Sequence, residues 1–490
     1  MEIRNQLFIN GEWVNSSDGG TIEVLNPATN KPITRVQKAT PDDLRKAIDA
    51  AQRAFDDVWG KMTPFERSKH LHKVGEAIEN NLDFLAGLEA DDVGKPVFEA
   101  ANVDVASAAA TMHYFADICV EIAGDLKCSP YNEVFDYTVR EPLGVVGAII
   151  PWNFPFLIAS RKIGSALAAG NTMVIKPASW APLTTIMFGE LFNEAGVPPG
   201  VLNVVPAGGA DTGKVFAESP NVEEITFTGS TEVGRGLYGE CAPHLKGCTL
   251  ELGGKGPGLV LPDCDMDETV AGTLFGAYLN QGECCCALTR LIVHESVYDE
   301  FMEKFIAGSK AIKIGMPRAE DTRMGPLVHA DHLKTVMDYV ESGKKEGATV
   351  ACGGNLLRKG ECAKGNFMET TVFTDVTPSM RIWKEEIFGP VVVAVKAKDL
   401  DEMVRLANDT DYGLAASVWT TNLRTAHTLV PRINAGTVWF NLHNFVFPSA
   451  PYPGYKASGL GFELGKEGVL ALTKMKNVMV SLFPEGFRWY

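Results

Sequence analysis

The residues best suited to covalent chemistry stand together as Cys284-Cys285-Cys286 in NQGECCCALTR. Metal sites usually space their ligands two to four residues apart, and adjacent side chains are expected to diverge. Three consecutive cysteines therefore read as a poor metal site, and no metal is expected. A disulfide between neighbours would be strained. Cys284 and Cys286 read as small buried hydrophobes. Cys285, in a glycine-containing loop ahead of the apolar RLIVH (290–294), reads as a nucleophile. A free thiol is only a few per cent thiolate near pH 7, so a base or backbone dipoles must activate it. None of the nine histidines lies near Cys285 in sequence, which weakens the reading as a thiol hydrolase.

A second pattern suits an anion. Gly229-Ser230-Thr231-Glu232-Val233-Gly234 follows the strand-like EITFTG (224–229) and opens a helix. That placement puts a pyrophosphate at a helix N-terminus, although no full GxGxxG is present. Lys176 and Ser179 in IKPAS follow the end of TMVIKP (172–177).

These residues need a scaffold. GVVGAII (144–150), TMVIKP, VLNVVP (201–206) and EITFTG alternate with helical stretches, which predicts a parallel doubly wound sheet. The alternation resumes after ELGGKGPG (251–258) with GLVLP, RLIVH, PVVVAVKA, AASVW and TVWFN, a second α/β domain. Residues 7–27 read as short strands around Asn10-Gly11. Thr40-Pro41 and Thr63-Pro64 open helices, the second with a capping box to Glu66, and the helical stretch is predicted to run to about Ala123. Residues 128–142 read as an extended arm, and KNVMVSLF (476–483) as a strand without a local partner. Such a strand must be covered, either by the arm or by a neighbouring subunit.

Length and composition set the outer limits. A chain of 490 residues holds two or three domains. With 46% hydrophobic and 22% charged residues it is globular rather than disordered. A net charge of −16 without a basic patch argues against nucleic acid and anionic membrane as partners. The start MEIRNQLFINGEW lacks an apolar signal core, and no apolar run reaches the ~20 residues a membrane helix needs. Ten cysteines are too sparse for a secreted disulfide scaffold, so a cytoplasmic protein with reduced thiols is expected.

PWNFP (151–155), FTGSTEVG (227–234), ELGGKGP (251–257), NQGECCCALTR and EEIFGPV (385–391), in this order and spacing, resemble the aldehyde dehydrogenase superfamily over essentially the whole chain. The resemblance implies an α/β fold of two doubly wound Rossmann-like domains plus a small β oligomerisation arm. Residues 1–121 and 143–253 would form the dinucleotide-binding domain, 254–471 the catalytic domain, and 122–142 with 472–490 the bridging element. It implies NAD(P)-dependent oxidation of an aldehyde to an acid through a thiohemiacetal and a thioester. Cys285 matches the nucleophile, Glu251 the base that activates water, and Asn153 the oxyanion donor. Cofactor contacts are implied at Ile149, Pro151, Trp152, Lys176, Ser179, Gly209, Gly213, Phe227, Gly229, Ser230, Val233, Leu252, Glu386 and Phe388. A homodimer or homotetramer, with the arm crossing between subunits, is implied as well.

Departures from the family pattern bear on specificity. NAD-preferring relatives often carry Glu where Ser179 stands, so NADP as well as NAD is expected to bind. Phe154 and Arg161 share a helix face that lines the aldehyde tunnel in relatives, and the Arg161-Lys162 pair resembles succinate semialdehyde and lactaldehyde dehydrogenases. An anionic semialdehyde or a small hydroxyaldehyde is the expected substrate. His443, Phe445, Phe447 and Tyr452 are expected on the opposite wall, in a segment that reads PYPGYK instead of the common PFGGYK. A CoA-acylating enzyme and a catalytically silent binding protein on the same fold are the alternatives; Glu251 disfavours the first and the intact trio the second.

Overall fold

The computed structural model describes residues 1–486. Two largely parallel sheets bring strand ends to the site. The first has eight strands in the order Glu12–Val14, Leu7–Ile9, Leu202–Val204, Thr172–Lys176, Val145–Ile149, Val222–Thr228, Gly247–Glu251 and Gly459–Leu460. Its five inner strands are parallel, and antiparallel pairs close both edges. From Val145–Ile149 the chain winds outward to one side through 172–176 and 202–204, and later fills the other side with 222–228 and 247–251. The order therefore reverses between Val145–Ile149 and Val222–Thr228. A crevice opens at such a reversal, beyond the carboxyl ends of the strands. Ile149, Lys176, Thr228 and Glu251 all end strands at that edge.

The second sheet runs Thr349–Cys352, Thr371–Thr374, Val391–Ala397, Leu288–His294, Gly256–Val260, Ala415–Trp419 and Thr437–Phe440. Only the first pair is antiparallel. This sheet turns its amino ends to the site. Glu251 closes a strand of the first sheet, and Gly256 opens one of the second. The glycines between them are required. A Cβ on Gly253 would sit 2.3 Å from Glu386 Oε2, and one on Gly254 would sit 2.2 Å from the Cys285 carbonyl.

Both predicted caps form: Thr40 with Asp43 and Thr63 with Glu66 make reciprocal capping boxes, with proline in the first turn. The predicted continuous helical stretch is broken. Helix Leu82–Val93 ends at Gly94, whose φ is +95°, and Lys95-Pro96 follows. The chain resumes as Val97–Glu99, a π-helical turn over Ala100–Val105, and helix Ala106–Ile118. Proline cannot continue the ladder, and the break turns Lys95 inward.

The partnerless strand finds its partner within the chain. Thr473–Ser481 pairs antiparallel with Val134–Pro142 along nine residues, and Leu126–Lys127 adds a third strand. Residues 487–490 of the expected bridging segment lie outside the described residues. Residues 459–471, grouped by sequence with 254–471, belong spatially with the first sheet. Gly459–Leu460 pairs with Gly247–Glu251, and helix Gly465–Ala471 packs on helix Pro155–Ala168. Strands Lys31–Gln37, Gly247–Glu251, Thr349–Cys352 and Thr371–Thr374 were not anticipated, being short or interrupted by Pro32. Among the described residues, no helix is long and apolar enough to cross a membrane.

Candidate active site

The cysteine loop connects helix Met266–Tyr278 to strand Leu288–His294. Asn280, Gln281 and Gly282 take φ of 51°, 59° and 70°, three successive left-handed residues. Non-glycine residues hold that conformation only under constraint. Here Asn280 N–H donates to Glu99 Oε2 at 2.9 Å, and Asn280 Nδ2 donates to the carbonyls of Asn153 (2.9 Å) and Glu283 (3.0 Å). The cysteines then form a turn closed by Ala287 N–H on the Cys284 carbonyl at 3.1 Å. This turn overrides the expected divergence of adjacent side chains: the three Sγ atoms lie within 4.8 Å of one another, and those of Cys284 and Cys286 are 3.4 Å apart. Cys284 and Cys286 are buried, and Cys285 is the more exposed. Hydrogen bonding to the two flanking sulfurs, then burial, holds the Cys285 thiol well above its ordinary range.

Three spaces converge here. An apolar tunnel of about 340 Å³ reaches all three cysteines from a wall that includes Phe154, Leu157 and Arg161. A chamber of about 240 Å³ joins Cys285 to Asn153, Leu252, Glu386 and Phe388. A groove of about 610 Å³ continues from it past Trp152, Gly229 and Ser230. Of the three thiols, only Cys285 lines both the tunnel and the chamber.

Asn153 is buried in the chamber wall ahead of helix Pro155–Ala168. Its Nδ2 donates to the Glu283 carbonyl at 3.0 Å, which leaves the second amide hydrogen free. Glu251 is also buried, and neither carboxyl oxygen has a hydrogen-bond partner among the described residues. Burial, then the Glu463 carboxylate, holds its acid well above the ordinary range, against the pull of Lys162 and Arg161. Leu252 and Gly253, which follow it, line the chamber; its own side chain sits behind that wall.

The expected cofactor residues fall along one path. Ile149, Pro151, Trp152, Lys176, Ser179, Gly209, Gly213, Phe227, Gly229, Ser230 and Val233 line the groove, and Leu252, Glu386 and Phe388 line the chamber. Helix Thr231–Cys241 begins at the groove, with Ser230 Oγ accepting from Val233 N–H, so the positive end of its dipole lies there. Lys176 is buried at the end of its strand, and burial lowers its ammonium to about 8. Glu386 accepts from Gly254 N–H at 2.8 Å, and burial raises its carboxyl to about 7. A long cleft with a helix N-terminus, a desolvated cation midway and a carboxylate at its inner end suits a dinucleotide.

On the tunnel side, Phe154, Arg161 and Tyr452 line the wall as expected. Arg161 is partly buried and makes no ion pair or hydrogen bond among the described residues. His443 does not line the tunnel. It is 1% exposed, lies behind the cysteine turn, and donates Nε2–H to the Cys286 carbonyl at 2.8 Å. Its sequence neighbours Asn444, Phe445, Val446 and Phe447 form the wall instead.

Sequence reasoning missed two supports. Lys95 is fully buried; its Nζ donates to the Asn153 carbonyl at 2.9 Å and to Asp104 at 2.7 Å, and lies 4.0 Å from the Phe154 ring centroid. His332 donates Nε2–H to the carbonyl of Phe388 at 2.6 Å and packs edge-on against Trp152. Phe388 has φ of +59°, so that bond fixes a strained backbone beside Glu386. The Gly94-Lys95-Pro96 break was the one available signal for Lys95; nothing local marked His332.

The profile of the aldehyde dehydrogenase family matches residues 13–478. An aldehyde dehydrogenase from Alternaria alternata is 43% identical over 477 residues, covering 97% of this chain and 95% of that protein. The NAD+ complex of aldehyde dehydrogenase from Bacillus cereus superposes with a TM-score of 0.95 at 41% identity, covering 98% of this chain and 97% of that one. Betaine aldehyde dehydrogenase from Staphylococcus aureus, in complex with NAD+, superposes with a TM-score of 0.97 at 36% identity, covering 100% and 97%. The chain belongs to the aldehyde dehydrogenase family. It is an enzyme that oxidises aldehydes.

Proposed function

We propose that Cys285 is the nucleophile of a hydrolytic aldehyde dehydrogenase, with Asn153 as oxyanion donor and Glu251 as deacylation base. The observation that carries this reading is the position of Cys285 at the junction of the tunnel and the chamber. An aldehyde entering by the tunnel meets the sulfur on the side opposite the cofactor. Attack makes a thiohemiacetal alkoxide, which takes hydrogen bonds from the free Asn153 amide hydrogen and the Cys285 main-chain N–H. Losing one such donor costs about 2.7–4 kcal/mol of barrier. Leu252, Glu386 and Phe388 would hold a nicotinamide in the chamber, where it would supply the acceptor for the hydride that leaves the alkoxide carbon. The acyl group stays on Cys285 as a thioester. Glu251 turns toward the chamber, takes a proton from water, and the hydroxide releases the acid. A carboxylate of raised proton affinity suits that task.

The substrate is an aldehyde bearing a carboxylate or a similar anion. Arg161 supports this as a guanidinium without an ion-pair partner among the described residues, set in an apolar wall where a charge-assisted bond to substrate is strong. The same charge argues against carrying over betaine aldehyde, a quaternary ammonium, from the S. aureus relative. NADP is accepted beside NAD, supported by Lys176 and Ser179 at one place in the groove. Assembly into a homodimer or homotetramer is supported by Leu126, Tyr131 and Met479, which the arm leaves exposed.

Alanine variants of the three cysteines test the assignment through NADH formation. Cys285→Ala is expected to abolish it; retention of dehydrogenation in that variant would remove the nucleophile from the proposal.

A further inference from the structure

The turn at Cys284–Cys286 does more than present one sulfur. It gathers three, all within 4.8 Å, with Cys284 and Cys286 Sγ in contact at 3.4 Å. The side facing the tunnel is open. The other side is fixed: Cys286 Sγ meets Asn444 Oδ1 at 3.3 Å, and His443 holds the Cys286 carbonyl. Tyr452 lines the same cavity, is 6% exposed, and sets its hydroxyl beside Cys286. That is a soft tripodal donor set with a tyrosine hydroxyl beside it.

The surroundings restrict what such a set can take. A divalent ion such as Zn2+ seeks a fourth ligand in a tetrahedron. Three thiolates around it would also leave a net negative charge in a cavity walled by Phe154, Leu157, Phe275 and Val446, which is costly. A trivalent thiophilic ion of the arsenic(III) kind meets neither obstacle. It takes three bonds on one side, keeps a lone pair on the other, and is neutral once bound to three thiolates.

We infer that Cys284, Cys285 and Cys286 form a trithiolate site for trivalent arsenic-type metalloids, and that occupancy removes the Cys285 sulfur from its two cavities. Arsenous acid, As(OH)3, reacts with three S–H groups. Three As–S bonds form, three As–O bonds break, and the three thiol protons leave with the hydroxyls as three waters. Nothing is oxidised or reduced. The inference rests on the sulfur geometry and does not depend on which thiol attacks the aldehyde.

The test is titration of the full-length protein with arsenite, read by intact mass and by the near-ultraviolet As–S absorption. The expected product carries one arsenic in place of three hydrogens, survives excess monothiol, and is stripped by a dithiol. Cys284→Ser and Cys286→Ser should each weaken binding by about tenfold or more, the equivalent of ~1.4 kcal/mol. The arsenic they retain should keep one hydroxyl. Cys241→Ser, which alters a thiol in the first sheet's layer, should bind as the parent does. Near-ultraviolet circular dichroism shows that each variant keeps its packing. Equal binding by the parent and both turn variants, loss of binding in Cys241→Ser alone, or tighter binding of Zn2+ than of arsenite would each overturn the inference. Because the readout is binding, failure of the nucleophile assignment would leave it standing, and the reverse holds too.

Discussion

Lys95 Nζ stands 2.9 Å from the main-chain carbonyl of Asn153, and the same carbonyl accepts from Asn280 Nδ2 at 2.9 Å. The proposed oxyanion donor is thus held from behind by a fully buried cation on one side and by the cysteine loop on the other. Burial holds Asp104 and Glu89 above the ordinary carboxylate range, while Lys95 draws both down. Lys95→Met should lower kcat by roughly tenfold or more, since it frees a donor whose complete loss costs about 2.7–4 kcal/mol. Removing one partner of a buried ion pair also costs about 3–5 kcal/mol of stability. The double variant Lys95→Met/Asp104→Asn separates the effects: melting temperature should recover while kcat stays low. Recovery of both would assign Lys95 a purely structural role.

Arg161→Ala should raise KM for a carboxylated aldehyde by roughly tenfold to a hundredfold, the worth of a charge-assisted hydrogen bond. Turnover of a neutral aldehyde of similar length should change little. Steady-state kinetics with the two substrates reads the contrast, and equal losses on both would refute a charge-specific role.

Lys176 offers a pH test of the proposed use of NADP. Its ammonium ionises at about 8 because of burial, so the free enzyme loses this charge as pH rises through that value. A 2′-phosphate benefits from the charge, whereas a bare ribose depends on it less. The ratio of kcat/KM for NADP to that for NAD should therefore fall between pH 7 and 9, and kcat/KM reports the free enzyme's ionisations. Lys176→Met should flatten the profile at its alkaline level.

Glu224 gives a stability test away from the site. It is buried in strand Val222–Thr228, accepts from Thr249 Oγ1 at 2.9 Å, and burial raises its carboxyl to about 7 from 4.5. The folded state therefore binds this proton more tightly than the unfolded state. Its contribution is full below about pH 4.5 and is lost as pH rises through about 7, a change of roughly 3 kcal/mol. Denaturant unfolding across that range should show a shallower fall in stability for Glu224→Gln than for the parent.

Much of this arrangement was legible in local sequence. The strand–helix alternation places Ile149 and Lys176 at strand ends, whereas the strand that Glu251 closes was not anticipated. The helix caps at Thr40 and Thr63 are local hydrogen-bond chemistry, which neighbours in sequence determine. Other features required the third dimension. The convergence of the three sulfurs depends on left-handed residues at Asn280 and Gln281, which hold that shape through Glu99 and Asn153, more than a hundred residues distant. His332 reaches Phe388 from another element, and its spacing carries no pattern. His443 was misplaced because an apolar, aromatic segment reads as wall on either face; packing behind the cysteine turn decides which residues point in.

The central claim is that acyl transfer occurs on Cys285, and trapping the thioester measures it most directly. Glu251→Gln should slow deacylation, so that acid quenching during turnover captures acyl-enzyme for peptide mass mapping. The acyl group is expected on Cys285, formed together with one equivalent of NADH per active site. Acyl label on Cys284 or Cys286, or a burst of NADH with no acylated cysteine, would contradict the account.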